Sequence, residues 1–373
     1  MDNLNIYRKG LALLGAVILG SSSISIAKAD FSNKGDSIVT TKVVNMRYGP
    51  SIESFKLGEV PKGAVCDRIL SIDGFDLVRY DGRIIFLSGD FTDPNITDYN
   101  NEYYYVEPDN DIIRTTTEVY FRLGPSKNEQ DICLLDKNEE LMVLGKSINY
   151  SDPNDVWYLA KRNGEIGFVK AQYTESLKSS IQKFNPAITN IEIQKMGYLE
   201  TDENLYDASG SRIQKIDAFQ VVKVLGTEDN NYIVSYDGKV GVLPKSSVSV
   251  ADGIFVVVDI SDQKIFMYSG NECVFESVCT SGWDRRPTDL GAFKVYELGN
   301  HRTFSEDHQA RILWANFDHG NGIHDAPWEE EKNFGSHKYR KHQGSNGCIR
   351  VPDNTAKMIR KHIYKGSRVI VKK

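Results

Sequence analysis

Beyond residue 29 this chain has no apolar run long enough to cross a bilayer as a helix, so any membrane contact through a helix is confined to the N-terminus. Cysteine is scarce. There are five in 373 residues, and an odd count leaves at least one thiol unpaired in an exported protein. Histidine is missing before position 301, and none of the seven present (His301, His308, His319, His324, His337, His342, His362) follows a zinc-ligand spacing. No metal and no cofactor is therefore expected. Neither sign of charge dominates: the net charge is −6, and no nucleic-acid partner is expected. With 40% hydrophobic and 26% charged residues the chain can build ordinary cores, which excludes wholesale disorder.

What is present begins with an export signal. Arg8 and Lys9 precede an apolar stretch from Leu11 to Leu19, and Ala27-Lys28-Ala29 supplies the small-x-small pattern of a cleavage site. Residues 1–29 are read as a signal peptide and the mature protein as exported, in the cell wall or outside the cell. The 18 uncharged residues between Lys9 and Lys28 would also suffice for an uncleaved membrane anchor, although serines at 21–23 and 25 dilute them. No cysteine follows the apolar run, which argues against a lipid-anchored form.

Residues 42–250 hold a diverged repeat. Val44-Asn45-Met46-Arg47-Tyr48-Gly49-Pro50-Ser51 and Val119-Tyr120-Phe121-Arg122-Leu123-Gly124-Pro125-Ser126 open two copies. Later in each copy comes a hairpin signature, Asp81-Gly82 and Asn163-Gly164, with a third at Asp237-Gly238. Such dipeptides between alternating strands mark two-residue turns in which both positions need positive φ. The third copy has Leu205-Tyr206-Asp207-Ala208 in place of the Gly-Pro opening. The Arg-x-Gly-Pro-Ser pattern with its hairpins resembles bacterial SH3-like domains, which implies small β-barrels at 42–95, 113–178 and 195–250. That resemblance implies wall binding, with a spacer role as the alternative. Tyr103-Tyr104-Tyr105 is read as a linker or edge strand rather than a sugar platform.

From residue 252 the pattern changes, and all seven histidines fall here. Ile254–Asp259, Lys264–Tyr268 and Cys273–Val278 read as an antiparallel meander, Asn354–Ile363 as a short helix capped by Asp353 and ended by Gly366, and Ser367–Val371 as a closing strand. Cys273 and Cys279, roughly 20 Å apart along one strand, are too distant to pair. Cys66 and Cys133 sit in apolar runs and read as core.

Cys348 lies instead in Gly344-Ser345-Asn346-Gly347-Cys348-Ile349-Arg350. Gly347 allows a tight bend, and the amides of Gly347, Cys348 and Asn346 are candidate oxyanion donors. Arg350 is expected to depress the thiol pKa from about 8.5 and to fork onto a substrate carboxylate. His324, in Gly322-Ile323-His324-Asp325-Ala326-Pro327-Trp328, is the candidate base. The order His before Cys excludes papain-like peptidases.

These segments, with Val258-Asp259-Ile260, Gln263 and Pro287-Thr288-Asp289-Leu290-Gly291-Ala292-Phe293, resemble the L,D-transpeptidase (YkuD-type) catalytic domain over 252–373. The resemblance implies a mainly β protein: three small SH3-like barrels, then a β-rich catalytic domain with a short helix. It implies Cys348 as nucleophile, His324 as base with its tautomer fixed by a nearby carbonyl, and Gly347 at the catalytic bend. Ser345, Asn346, Arg350, Asp325 and Trp328 would then form the oxyanion and substrate-binding shell. The partners implied are peptidoglycan stem peptides as donor and acceptor, and the product a 3–3 cross-link. An L,D-carboxypeptidase, or a degenerate wall-binding protein, are the alternatives. Asn346 stands where the family has histidine, and residues 329–341 lengthen the His-to-Cys spacing as an expected solvated loop. Residues 299–321 are expected to cover the site.

Overall fold

A computed structural model describes residues 29–30, 35–99, 103–106, 112–149, 151–177 and 195–373. The expected signal segment lies outside them, save Ala29, which with Asp30 pairs with Ile72 and Ser71. The chain is mainly β, as expected from the sequence.

Before residue 252 three sheets repeat one design. Counting the seven principal strands of each in chain order, from Gly35–Thr40, Ile112–Thr115 and Lys195–Leu199 onward, all three are arranged third, second, sixth, fifth, fourth, first, seventh. The hairpin dipeptides lie where two positive φ angles are needed: 48° and 69° at Asp81-Gly82, 46° and 86° at Asn163-Gly164, 47° and 68° at Asp237-Gly238. Each second strand also carries a register shift at one equivalent place, Met46/Arg47, Phe121/Arg122 and Leu205/Tyr206.

The repeated arginine has a local structural task. Arg47 donates to the carbonyl of Ser54 at 2.8 Å, and Arg122 to that of Glu129 at 2.8 Å, seven residues on in both cases. In the third sheet Asp207 accepts the Ser209 and Ser211 amides, each at 2.9 Å. A different side chain closes the same corner, and the topology survives without Gly-Pro. The strand Tyr103–Val106 pairs with Glu140–Asn149 at the margin of the second sheet.

The C-terminal domain has two main sheets and a separate two-stranded hairpin. In the first, the order is Glu272–Val278, Lys264–Ser269, Ile254–Asp259, Arg368–Lys372, Gly291–Lys294. The central strand is apolar on both faces because both are covered. Val256 and Val258 enter the domain's own core with Ile323, Ile349 and Ile359, while Phe255 and Val257 pack with Met196, Tyr198 and Leu225 of the third repeat. The helix is Asp353–His362, one residue earlier than expected. It begins after Pro352 with no side-chain cap, and its C-cap is Ile363, so Asp353 and Gly366 do not cap it. Its Ala356 and Ile359, with Ile363 just beyond, point into the core as their spacing requires. All five cysteines are free.

Candidate active site

The second sheet of this domain builds the site. Its strands are ordered Glu297–Gly299, Trp314–Asp318, Asn321–Asp325, Ile349–Val351. The last two are parallel, with Ile323 opposite Ile349 and His324 opposite Arg350. Register partners project to the same side of a sheet, and so do residues two apart on one strand. His324, Arg350 and Cys348, one step before its strand, therefore share a face, with the Cα atoms of His324 and Cys348 about 8 Å apart by sheet spacing.

His324 is 2% exposed, and its Nδ1 donates to the Asp325 main-chain carbonyl at 2.7 Å. A carbonyl can only accept, so Nδ1 carries the hydrogen and Nε2 keeps its lone pair. Burial pulls the imidazole pKa down to about 4, opposed by that hydrogen bond and aided by the Arg350 charge. The Cys348 thiol moves the other way. Burial raises its pKa above the ordinary value, against the Gly322 amide and the charges of Arg350 and Arg302, which favour thiolate. The depression expected from Arg350 is thus overturned, because desolvation outweighs it. At rest both groups are neutral.

The loop before Cys348 is pinned from within. Ser345 is buried; its Oγ donates to the Cys348 carbonyl and accepts the Gly347 amide at 3.1 Å. This corrects the expected oxyanion donors, since the Gly347 amide is already engaged. The amides of Asn346 and Cys348 are the ones left for a substrate carbonyl. Ser345 likewise holds the loop instead of facing substrate. Gly347 has φ of 114°, and a Cβ there would stand 2.6 Å from the Asn321 side chain, so two separate constraints demand glycine. Asn346 is exposed, and its Oδ1 accepts from Trp283 Nε1 at 3.3 Å. Gln263 and Thr288, quoted above in the motif, support this loop from behind: Gln263 bonds Ser281 in both directions, Thr288 accepts the Gly282 amide, and Ser281 accepts the Ser345 amide.

Two expected substrate contacts are occupied elsewhere. The Asp325 carboxylate is fully buried and accepts the amides of Arg311, Ile312 and Leu313 at 2.8, 2.9 and 2.8 Å. It is a positioning residue, not a substrate ligand. Arg350 pairs with Glu329, whose side chain is 1% exposed. The stretch read as a solvated loop therefore sends a carboxylate into the site. It then forms the helix His337–Gln343, where Arg340 bonds the Gly282 carbonyl and Asp284, each at 2.9 Å. His337 and His342 are exposed on that helix.

Of segment 299–321, the hairpin 302–310 lies over the site, whereas Trp314–Asp318 is a strand of the site's own sheet. Strands Arg302–Thr303 and Gln309–Ala310 pair, and Phe304, 43% exposed, sets its ring 4.6 Å from that of His324. Trp314 and Trp328 stand 6.1 and 5.9 Å from the same imidazole, and His308 is 4.9 Å from Trp328. Phe304 and Glu329 were missed as individual residues in the sequence. The signal for Glu329 is the need of a partly buried Arg350 for a counter-charge; Phe304 has only its place in the covering segment.

The family model of the L,D-transpeptidase catalytic domain, YkuD, matches residues 253–371. No curated protein matches the chain. Among solved structures, the catalytic domain of the E. faecium L,D-transpeptidase is 26% identical over 32% of this chain and 98% of its own, with a TM-score of 0.29. A mutant Enterococcus faecium L,D-transpeptidase is 17% identical over 57% and 86%, with a TM-score of 0.31. An L,D-transpeptidase from Stackebrandtia nassauensis is 22% identical over 33% of this chain, which spans 56% of its length, with a TM-score of 0.28. The family-model match covers about a third of the chain and makes the C-terminal domain similar to the YkuD family of L,D-transpeptidase catalytic domains.

Proposed function

We propose that this domain is a cysteine-dependent L,D-transpeptidase that joins peptidoglycan stem peptides by 3–3 cross-links, with Cys348 as nucleophile and His324 as base. The observation that carries the reading is the shared sheet face of His324 and Cys348, together with a tautomer that leaves Nε2 free to accept a proton.

Chemistry starts from the neutral pair. As Sγ of Cys348 attacks the carbonyl after the third residue of a tetrapeptide stem, Nε2 of His324 takes the thiol proton. The oxyanion turns toward the Asn346 and Cys348 amides. One such donor is typically worth about 3–4 kcal/mol. The C–N bond then breaks, the imidazolium proton passes to the leaving amine of the terminal D-Ala, and a thioester remains. An amine from a second stem attacks the thioester and gives its proton to His324, and the sulfur departs to be reprotonated. One amide replaces another, and no oxidant or cofactor takes part. The Phe304 roof supports amine over water as acceptor, because it keeps solvent from the imidazole.

The three N-terminal sheets are proposed to be SH3-like barrels that hold this domain at the wall of an exported protein. Incubating the protein with tetrapeptide-bearing muropeptides tests the transpeptidase reading. Dimers are expected from the wild type and none from Cys348→Ala; shortened monomers without dimers would make the enzyme a carboxypeptidase.

A further inference from the structure

Two guanidinium groups bias the Cys348 thiol, and they differ in what holds them. Arg350 is bound to Glu329 and stacked 5.9 Å over Trp328. Arg302, on the roof hairpin, has no ion pair or hydrogen bond to a carboxylate among the described residues. Its guanidinium lies 5.0 Å over the Trp314 ring, the ring that also meets Phe304 at 5.7 Å and His324 at 6.1 Å. Arg302 and Phe304 are two apart on one strand and its turn, so both belong to the inner face of the hairpin. Glu297 is an acidic group whose charged form Arg302 also favours. Its Oε2 already accepts Trp314 Nε1 at 3.2 Å and Asn316 Nδ2 at 3.1 Å.

A donor that loses its last residue carries a free carboxylate just past the bond that breaks. The backbone between the attacked carbon and that carboxylate carbon spans roughly 3–4 Å. A cation meant for it must therefore stand beside the thiol and be free to receive an anion. Arg350 meets the first condition only, because Glu329 occupies it. Arg302 meets both. Guanidinium suits the task because its planar fork matches a carboxylate with two parallel hydrogen bonds.

We infer that Arg302 is the subsite for the free C-terminal carboxylate of the donor peptide, so that the roof hairpin selects donors by the charge of the residue they lose. This rests on the acyl-transfer reading above. It also gives the sequence's expectation of an arginine–carboxylate clamp to a different residue.

The test uses the full-length protein and two tetrapeptide stems, one ending in D-Ala with a free carboxylate and one ending in D-alaninamide. The rate of acyl-adduct formation on Cys348 is followed by intact mass across peptide concentration. The wild type is expected to favour the free acid by 10- to 100-fold, mainly through half-saturation concentration. Arg302→Gln should bring that ratio to near 1, and Arg302→Lys should restore part of it. A ratio kept in Arg302→Gln, or lost speed with both peptides alike at an unchanged ratio, overturns the subsite and leaves Arg302 a structural part of the roof. A wild type without acid preference overturns it too. No adduct from either peptide brings down the acyl-transfer reading itself, and the subsite with it.

Discussion

Nδ1 of His324 donates to the main-chain carbonyl of Asp325, 2.7 Å away, while the carboxylate of that same Asp325 gathers the amides of residues 311–313. One residue thus sets the tautomer of the base through its backbone and ties down the chain leaving the roof hairpin through its side chain. The two tasks are separable by substitution.

Asp325→Ala keeps the carbonyl but strips three amides of their acceptor in a buried place. An unsatisfied buried group costs about 1–3 kcal/mol, so a loss of about 3 kcal/mol or more is expected in denaturant unfolding of this domain. Asp325→Asn, which retains one carbonyl oxygen, should lose less. Equal stability of Asp325→Ala and wild type would contradict the anchoring role.

The pH behaviour follows from burial. Because the Cys348 pKa is raised, alkylation of Cys348 by iodoacetamide should climb through pH 9 without levelling near neutrality. A plateau below pH 7 would mean a resting thiolate–imidazolium pair. For stability the sign comes from His324, whose folded pKa of about 4 lies below its ordinary 6.5. Between those values the unfolded chain binds a proton that the folded chain refuses. Stability is therefore complete above pH 6.5 and falls as pH drops toward 4, by about 3 kcal/mol at the limit. Unfolding of His324→Gln over that range should show a correspondingly shallower pH dependence.

The repeats make a paired prediction. Gly82 and Gly164 sit in matching turns with φ of 69° and 86°, but a Cβ at Gly82 would meet nothing within 4 Å, whereas one at Gly164 would stand 2.2 Å from the Val274 carbonyl of the catalytic domain. Gly82→Ala should cost about 1–2 kcal/mol, the strain of a left-handed alanine. Gly164→Ala should cost clearly more, because the second repeat must also move off the strand Glu272–Val278. Thermal unfolding of the two variants side by side checks this.

Much of the design was legible in the residues. The dipeptides at 81–82, 163–164 and 237–238 named their own turns, because few sequences tolerate two positive φ angles in a row. The run from Phe255 to Val258 announced a strand covered on both faces. Cys348 and His324 stood out because their neighbours are small, polar or glycine. What was hidden depends on distance in space. Nothing local to Glu329 says that it turns inward to Arg350, since a run of charge is usually solvated. The direction of the thiol shift is hidden for a related reason: the nearby arginine is visible in sequence, and the burial that outweighs it is not. Nothing in the sequence ties the Gly347 amide to Ser345, because that bond depends on the shape of the folded loop.

Intact-mass spectrometry of the protein with a tetrapeptide donor tests the central claim most directly. A single adduct is predicted, adding the mass of the donor less one free alanine (the tripeptide less water), mapped to Cys348 and lost in both Cys348→Ala and His324→Ala. An unmodified wild-type protein, or an adduct carried by another residue, would contradict it.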